Sequence, residues 1–240
     1  MLEIAYDGTN YHGWQKQNNA LSICEIMESA VYKIFKQKTE VIGCSRTDAG
    51  VHAIQFICNF KCDVKIPEDK IPFALNTKLP PDIRVLKAKE ADETFHSRFS
   101  VHSKTYIYKA YCSDIMNPFL QNYACHFPYK IDVDKMKEAA KYFCGTHDFC
   151  GFMTQGSNQK TTVRTVNFLN VSLNGNVVEI EINANAFLYN MVRIIAGTLL
   201  MVGTGKIKAL DIPDIIKSKD RTRAGITAEP QGLYLKEVIY

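Results

Sequence analysis

No stretch of this chain stays apolar long enough to cross a bilayer. The longest nearly apolar run, IIAGTLLMVG at residues 194–203, falls far short of the roughly 20 residues a membrane helix needs. The opening MLEIAYDGT has neither a basic stretch nor an apolar one, so a secretory signal is not expected and a cytoplasmic location is. Tryptophan occurs once, and arginine is scarce: seven arginines stand against 22 lysines. Each arginine therefore draws notice, because its planar fork does what a lysine cannot. There are eight cysteines, but without an export signal they read as reduced thiols. Cys58 and Cys62 alternate with Phe56 and Phe60 and are expected in the core. Cys144, His147 and Cys150, in CGTHDFC, have the chemistry of metal ligands. No second pair follows at zinc-site spacing, so no metal is expected.

The 240 residues, 46% of them hydrophobic, suffice for a full core in one large domain or two small ones. A net charge of +4 permits a nucleic-acid partner without demanding one. LEIAY (2–6) reads as a strand. Ser22 and Glu25 form a capping box ahead of a helix over 22–37. A short strand near 40–44 precedes one over 54–62, in which Ile54, Phe56, Cys58, Phe60 and Cys62 alternate onto one face. A helix over 68–77 and a strand over 83–89 complete a βαββαβ order. The second half repeats it. KTYIYKAYC (104–112) is a strand, and Asp132 caps a helix carrying Met136, Ala139, Ala140 and Phe143, stopped by Gly145. Strands over 161–173 and 177–184 flank a hairpin marked by Asn174-Gly175. Helices over 188–202 and 211–218 lead into LYLKEVIY as the closing strand. Two split-βαβ patterns predict an α/β (α+β) chain of two ferredoxin-like halves, 1–100 and 101–240, with a boundary between about Glu90 and Lys104. If the two antiparallel sheets join, the cleft between the halves is the default site.

Three stretches carry candidate chemistry. In CSRTDAGVHA (44–53), Asp48 beside Ala49-Gly50 suits a turn or a cap. With Arg46 two residues away, it also suits a carboxylate held ionised for attack or proton removal. FHSRFSVHSKTYIY (95–108) interleaves basic and aromatic residues, as a surface for a nucleic-acid backbone and its bases would. A solvated edge strand is the alternative, and Tyr106 and Tyr108, on one face of their strand, have a core reading as well. In NAFLYNMVRIIAGTLL (185–200), Arg193 lies in an apolar helix. A buried guanidinium there needs a partner, with Asp48 a candidate, unless the side chain snorkels out at the helix start. A fourth stretch, GITAEPQGLYL (225–235), reads as structural.

Taken together, YDGTNYHGWQKQ (6–17), SRTDAGVHA, FHSRFS, KTYIY, NPF (117–119), GTHDF (145–149), FLYNMVR and GLYL resemble the tRNA pseudouridine synthase A family, in order and across essentially the whole chain. The resemblance implies two α/β halves sharing a continuous antiparallel sheet, with the chain forming a homodimer. It implies isomerisation of uridine to pseudouridine in the anticodon stem-loop of tRNA, with no cofactor. On matching positions, Asp48 takes the place of the essential aspartate, Arg46 that of the base-flipping arginine, and Tyr106 that of the tyrosine that packs on the target base. Arg193 takes the place of the arginine that pairs with the aspartate. Phe95, His96, Ser97, Arg98 and Phe99, with Gly156, Ser157, Asn158, Gln159 and Lys160, fall where the family touches tRNA. Ser45, Phe56 and Glu229 depart from the residues common in the family, and none of them is one of the four site positions.

Two rival readings stand beside this one. A non-catalytic RNA-binding protein would bind RNA without depending on Asp48, but the aromatic run typical of such modules is missing from a central strand. A zinc enzyme would rest on Cys144, His147 and Cys150.

Overall fold

A computed structural model describes residues 1–63, 65–154, 156 and 160–240. The chain folds as two units, residues 1–102 with 234–240, and residues 103–233.

The first unit runs β1 (Leu2–Tyr6), α1 (Ile23–Phe35), β2 (Ile42–Gly43), β3 (His52–Asn59), α2 (Ile71–Asn76) and β4 (Ile83–Ala88), the expected βαββαβ. β1 lies between β4 and β3 and is antiparallel to both. The Ser22 hydroxyl caps α1 by accepting from Glu25 N–H at 3.3 Å, as the capping box required. The helix stops where Lys36 turns left-handed. Its buried face of Ile23, Met27, Ala30, Val31 and Phe35 joins Leu2, Ile4, Phe56 and Ile83 in the core.

The β3 strand departs from the alternation read in the sequence. Phe56 and Cys58 are fully buried, but Ile54 is 48% exposed, and the strand ends at Asn59, before Phe60 and Cys62. The cause is a bulge. Ile4 faces Phe56, yet Tyr6 faces Ala53 rather than Ile54. One extra residue on β3 resets which face each side chain takes.

The closing strand β10 (Leu233–Ile239) was expected to finish the second half. It pairs with β3, parallel, through Tyr234 opposite His52 and Leu235 opposite Ala53.

The second unit begins with β5 (Ser103–Tyr111) and continues through β6 (Cys125–His126), α3 (Val133–Lys141), β7 (Gly145–Asp148), β8 (Val163–Asn174), β9 (Val177–Ala184), α4 (Met191–Gly203) and α5 (Ile212–Ser218). β9 lies between β5 and β8, antiparallel to both, and β7 pairs with β8. The hairpin forms where it was expected, shifted by one residue: Asn174 ends β8 opposite Val177, and Gly175 and Asn176 make the turn. β6 and β7 are short additions that periodicity could not register. The Asp132 carboxylate caps α3 by accepting from Lys135 N–H at 3.1 Å. The helix ends at Lys141, so Phe143 lies beyond it, and Gly145 opens β7 rather than stopping the helix. α4 is apolar nearly all round and buried nearly all round, as such a helix must be.

Removing the α1 cap tests how far that helix depends on it. Ser22→Ala is expected to lower unfolding stability by about 1 kcal/mol, read as a lower urea midpoint at unchanged slope. An unchanged midpoint would mean that core contacts alone hold the helix end.

Candidate active site

Asp48 lies on the connection from β2 to β3, and main-chain contacts fix that connection from below. Cys44 N–H donates to Ile57 O at 2.8 Å as the chain leaves β2. Trp14 N–H then donates to Thr47 O at 3.2 Å, and Gly50 N–H to Tyr11 O at 3.1 Å. Val51 N–H closes a turn onto the main-chain oxygen of Asp48 at 3.2 Å. The Thr47 hydroxyl pairs with Tyr6 Oη at 2.8 Å. The turn thus has a main-chain frame, closed by the Asp48 carbonyl.

Two glycines of YDGTNYHGWQ make the close approach possible. A Cβ on Gly13 would overlap Thr47 O and lie 3.0 Å from the carbonyl carbon of Asp48, and a Cβ on Gly8 would overlap Val51 O. Gly13 also holds φ +79°, a conformation that residues with a Cβ rarely adopt. The segment is anchored in turn. Tyr11 Oη donates to Asp82 Oδ1 at 2.6 Å. Burial, with the Asp82 carboxylate next, pushes the Tyr11 phenol above its usual range, so it stays a donor. Ile23 N–H donates to Gly13 O at 3.1 Å, tying the segment to α1. The lone tryptophan, Trp14, stacks on Phe56 with centroids 4.3 Å apart. Phe56 is therefore the surface against which Trp14, bonded to Thr47 O, rests.

His52 follows the loop and is buried. Its Nδ1 accepts from Gly8 N–H at 3.0 Å and lies 3.1 Å from Asp7 Oδ1, and its ring stacks on Tyr234 at 4.7 Å. Arg46 is exposed. Burial and then the Arg46 charge lower the Arg98 pKa. The two guanidinium groups thus lie in electrostatic range, a cationic patch that favours an anion.

The 95–99 segment is docked, not loose. Ser97 is buried, and both its N–H and its hydroxyl donate to Asn59 Oδ1. Tyr240 Oη donates to Ser97 O at 2.7 Å, and its ring packs on Phe95 at 5.0 Å. His96 Nδ1 accepts from Arg98 N–H and Phe99 N–H, so a neutral His96 carries its proton on Nε2. Phe99 is 75% exposed, between the His96 ring at 4.2 Å and the Arg98 guanidinium at 5.7 Å.

In the second unit Tyr106 is 6% exposed and meets the Phe187 ring edge-on at 5.0 Å. Arg193 sits in the first turn of α4. Its Nε donates to Ala228 O at 2.7 Å and one terminal nitrogen donates to Asn190 Oδ1 at 2.9 Å. Asn190 caps α4 in the left-handed conformation, φ +62°, which asparagine tolerates best after glycine. Its amide nitrogen donates to Thr154 Oγ1 at 2.9 Å. Sequence reasoning passed over Asn190, although its place in FLYNMVR, three residues before the arginine, was a usable signal. It also passed over Gly8 and Gly13, whose importance lies in contacts with residues more than thirty positions away. Gly156 and Lys160 are exposed, while Ser157, Asn158 and Gln159 lie outside the described residues.

The cysteines of CGTHDFC do not converge with His147. The His147 ring nitrogen Nε2 bonds with Cys144 O at 2.9 Å. Among the described residues, no three His, Cys, Asp or Glu side chains gather as a metal site, and no helix is long and apolar enough to cross a membrane.

A family model described as tRNA pseudouridine synthase matches residues 3–100 and 139–240. The chain is 50% identical over 240 residues to the tRNA pseudouridine synthase A of Thermoanaerobacter sp. (strain X514), covering all of this chain and 98% of that one. It is 49% identical, with the same coverage, to the tRNA pseudouridine synthase A of Caldicellulosiruptor bescii. The chain belongs to the tRNA pseudouridine synthase family.

The glycine clasp is open to a direct test. Gly13→Ala adds backbone strain and a steric clash together and is expected to cost roughly 3 kcal/mol. Gly205 has a similar φ, +77°, but open space around it, so Gly205→Ala is expected to cost only about 1 kcal/mol. Urea denaturation of both variants decides the matter, and equal losses would remove the clasp from the explanation.

Proposed function

We propose that Asp48 is the carboxylate at which the chain isomerises tRNA uridine to pseudouridine. The observation that supports it best is the main-chain clasp on residues 47–51, which fixes the backbone that carries Asp48. The isomerisation breaks the bond from N1 to C1′ of the ribose, turns the uracil and joins C5 to C1′. The C5 proton is lost and N1 gains one, so atoms and electrons balance without a co-reactant. An ionised carboxylate beside the sugar drives this, either by attacking C1′ or by removing the 2′ proton.

A stacked uridine is out of reach, and extruding it costs a few kcal/mol. Arg46, exposed beside Asp48 in the chain, fills the vacated space in this reading. Tyr106 packs on the detached uracil, and its burial against Phe187 supports a fixed platform. Arg193 is the cation that keeps Asp48 ionised. Residues 95–99 and 156–160 meet the tRNA, with Phe99, Arg98 and Lys160 offering the stacking and charge that a nucleic acid takes. The target lies in the anticodon stem-loop, and the enzyme works as a homodimer in the cytoplasm. The Glu229 departure is harmless here, because Glu229 holds φ −62°, the angle a proline would impose.

Asp48→Asn separates catalysis from structure, because asparagine serves a turn or cap as well as aspartate does. Pseudouridine formed in a single turnover is expected to fall by at least roughly a thousand-fold, with tRNA affinity changed only about three-fold or less. A folded variant that still converts tRNA at the native rate would make Asp48 structural and revive the non-catalytic RNA-binding reading.

Arg46→Ala is expected to slow turnover by about ten-fold or more while moving tRNA affinity about three-fold at most. Gel-shift titration beside a rate measurement distinguishes this from phosphate binding, which would lower both alike.

A further inference from the structure

The segment Gly225–Leu233 has no ionisable group aimed at a reaction, yet it is stitched to α4 along one face of the helix. Gly225 N–H donates to Thr198 Oγ1 at 2.8 Å, and the Thr198 hydroxyl donates in turn to Ile194 O at 2.7 Å. A Cβ on Gly197 would overlap Ile226 O, and one on Gly225 would stand 2.5 Å from Thr198 Cα. Only glycine at both positions lets the two backbones lie this close. Arg221 adds two bonds from outside, to Gly225 O at 2.8 Å and to Thr227 Oγ1 at 3.0 Å.

One helical turn before Gly197 the segment reaches Arg193. Ala228 and Arg193 exchange two bonds: Ala228 N–H to the Arg193 main-chain oxygen at 3.2 Å, and Arg193 Nε to Ala228 O at 2.7 Å. The next carbonyl, that of Glu229, accepts from Tyr108 Oη at 2.8 Å. Tyr108 has no exposed surface, and burial raises its phenol far above the usual range, so it stays a donor. Gly232 allows the segment to cross the Tyr108 ring, since a Cβ there would stand 2.8 Å from Cζ.

Asn190 Oδ1 holds the guanidinium on one flank and Ala228 O on the other. Both acceptors are neutral oxygens, which fix direction through hydrogen-bond geometry. A guanidinium presents its donors in a rigid plane, and fixing two of them fixes the aim of the rest.

We propose that Tyr108, acting through the Glu229 and Ala228 carbonyls, is a positioning residue that aims the Arg193 guanidinium for uridine isomerisation. This rests on the reading that Arg193 serves Asp48. Tyr108 touches no substrate in this scheme. It fixes the carbonyl beside the one that Arg193 Nε binds.

The test uses the full chain, with unmodified tRNA as substrate, in a double-mutant cycle of Tyr108→Phe and Arg193→Lys. Tyr108→Phe is expected to lower the single-turnover rate by about ten-fold at saturating enzyme while tRNA affinity stays within about two-fold. Once lysine has replaced the planar fork there is nothing left to aim. In the Arg193→Lys background the same change is therefore expected to lower the rate by less than about two-fold. Thr198→Val, which frees the other end of the segment, is expected to show the same pattern, and it serves as the readout if Tyr108→Phe folds poorly. If both variants slow the reaction by the same factor in both backgrounds, or do not slow it at all, Tyr108 and the segment are structural and the proposal falls while Arg193 keeps its role. If Arg193→Lys alone runs at the native rate, the reading of Arg193 falls, and the positioning proposal falls with it.

Discussion

The Asp48 loop depends on one steric constraint: two backbones approach so closely that neither partner glycine can carry a side chain. Gly8 and Gly13 lie against Val51 and Thr47, and the bonds from Trp14 and to Tyr11 hold the segments together. Everything that stabilises YDGTNYHGWQ therefore stabilises the loop as well, including the Tyr11–Asp82 bond, the Trp14–Phe56 stack and the tie from Gly13 O to α1. Under the proposed role of Asp48, a carboxylate that meets a sugar in one orientation gains from such support, because main-chain bonds do not hop between rotamers as side chains do.

The same solution recurs in the second unit. Gly197 and Gly225 let a loop lie on α4, and that contact sets the carbonyl that receives Arg193 Nε. In both units a side chain assigned to the proposed site stands on a main-chain platform whose closeness only glycine permits. Both platforms are built from neutral main-chain and amide groups. The turn at Asp48 is closed by a main-chain oxygen, and Arg193 is oriented by an amide oxygen and a carbonyl.

Local structure was largely readable because its causes are local. Ser22 and Asp132 mark helix starts, since a short side chain that accepts from an N–H three residues on needs nothing from elsewhere in the chain. Asn174-Gly175 marks the hairpin for the same reason. The bulge in β3 was not readable. It moves Ile54 to the exposed face only because Tyr6, nearly fifty residues away, faces Ala53. The parallel partnership of β10 with β3 was hidden likewise, because LYLKEVIY alternates equally well beside any strand.

Residue types and their order were legible from the chain alone: RTDAGVHA, KTYIY, FLYNMVR and the helix and hairpin signals between them. Those come from spacing along one chain, where a cap, a turn or a motif is complete within a few residues. It took the folded arrangement to explain why YDGTNYHGWQ carries two glycines, why an asparagine stands left-handed before Arg193, and why GITAEPQGLYL matters to an arginine on another element. Each of these is a contact between distant segments, and a side chain's fitness for such a contact depends on the space its neighbour leaves, which the order of residues does not state.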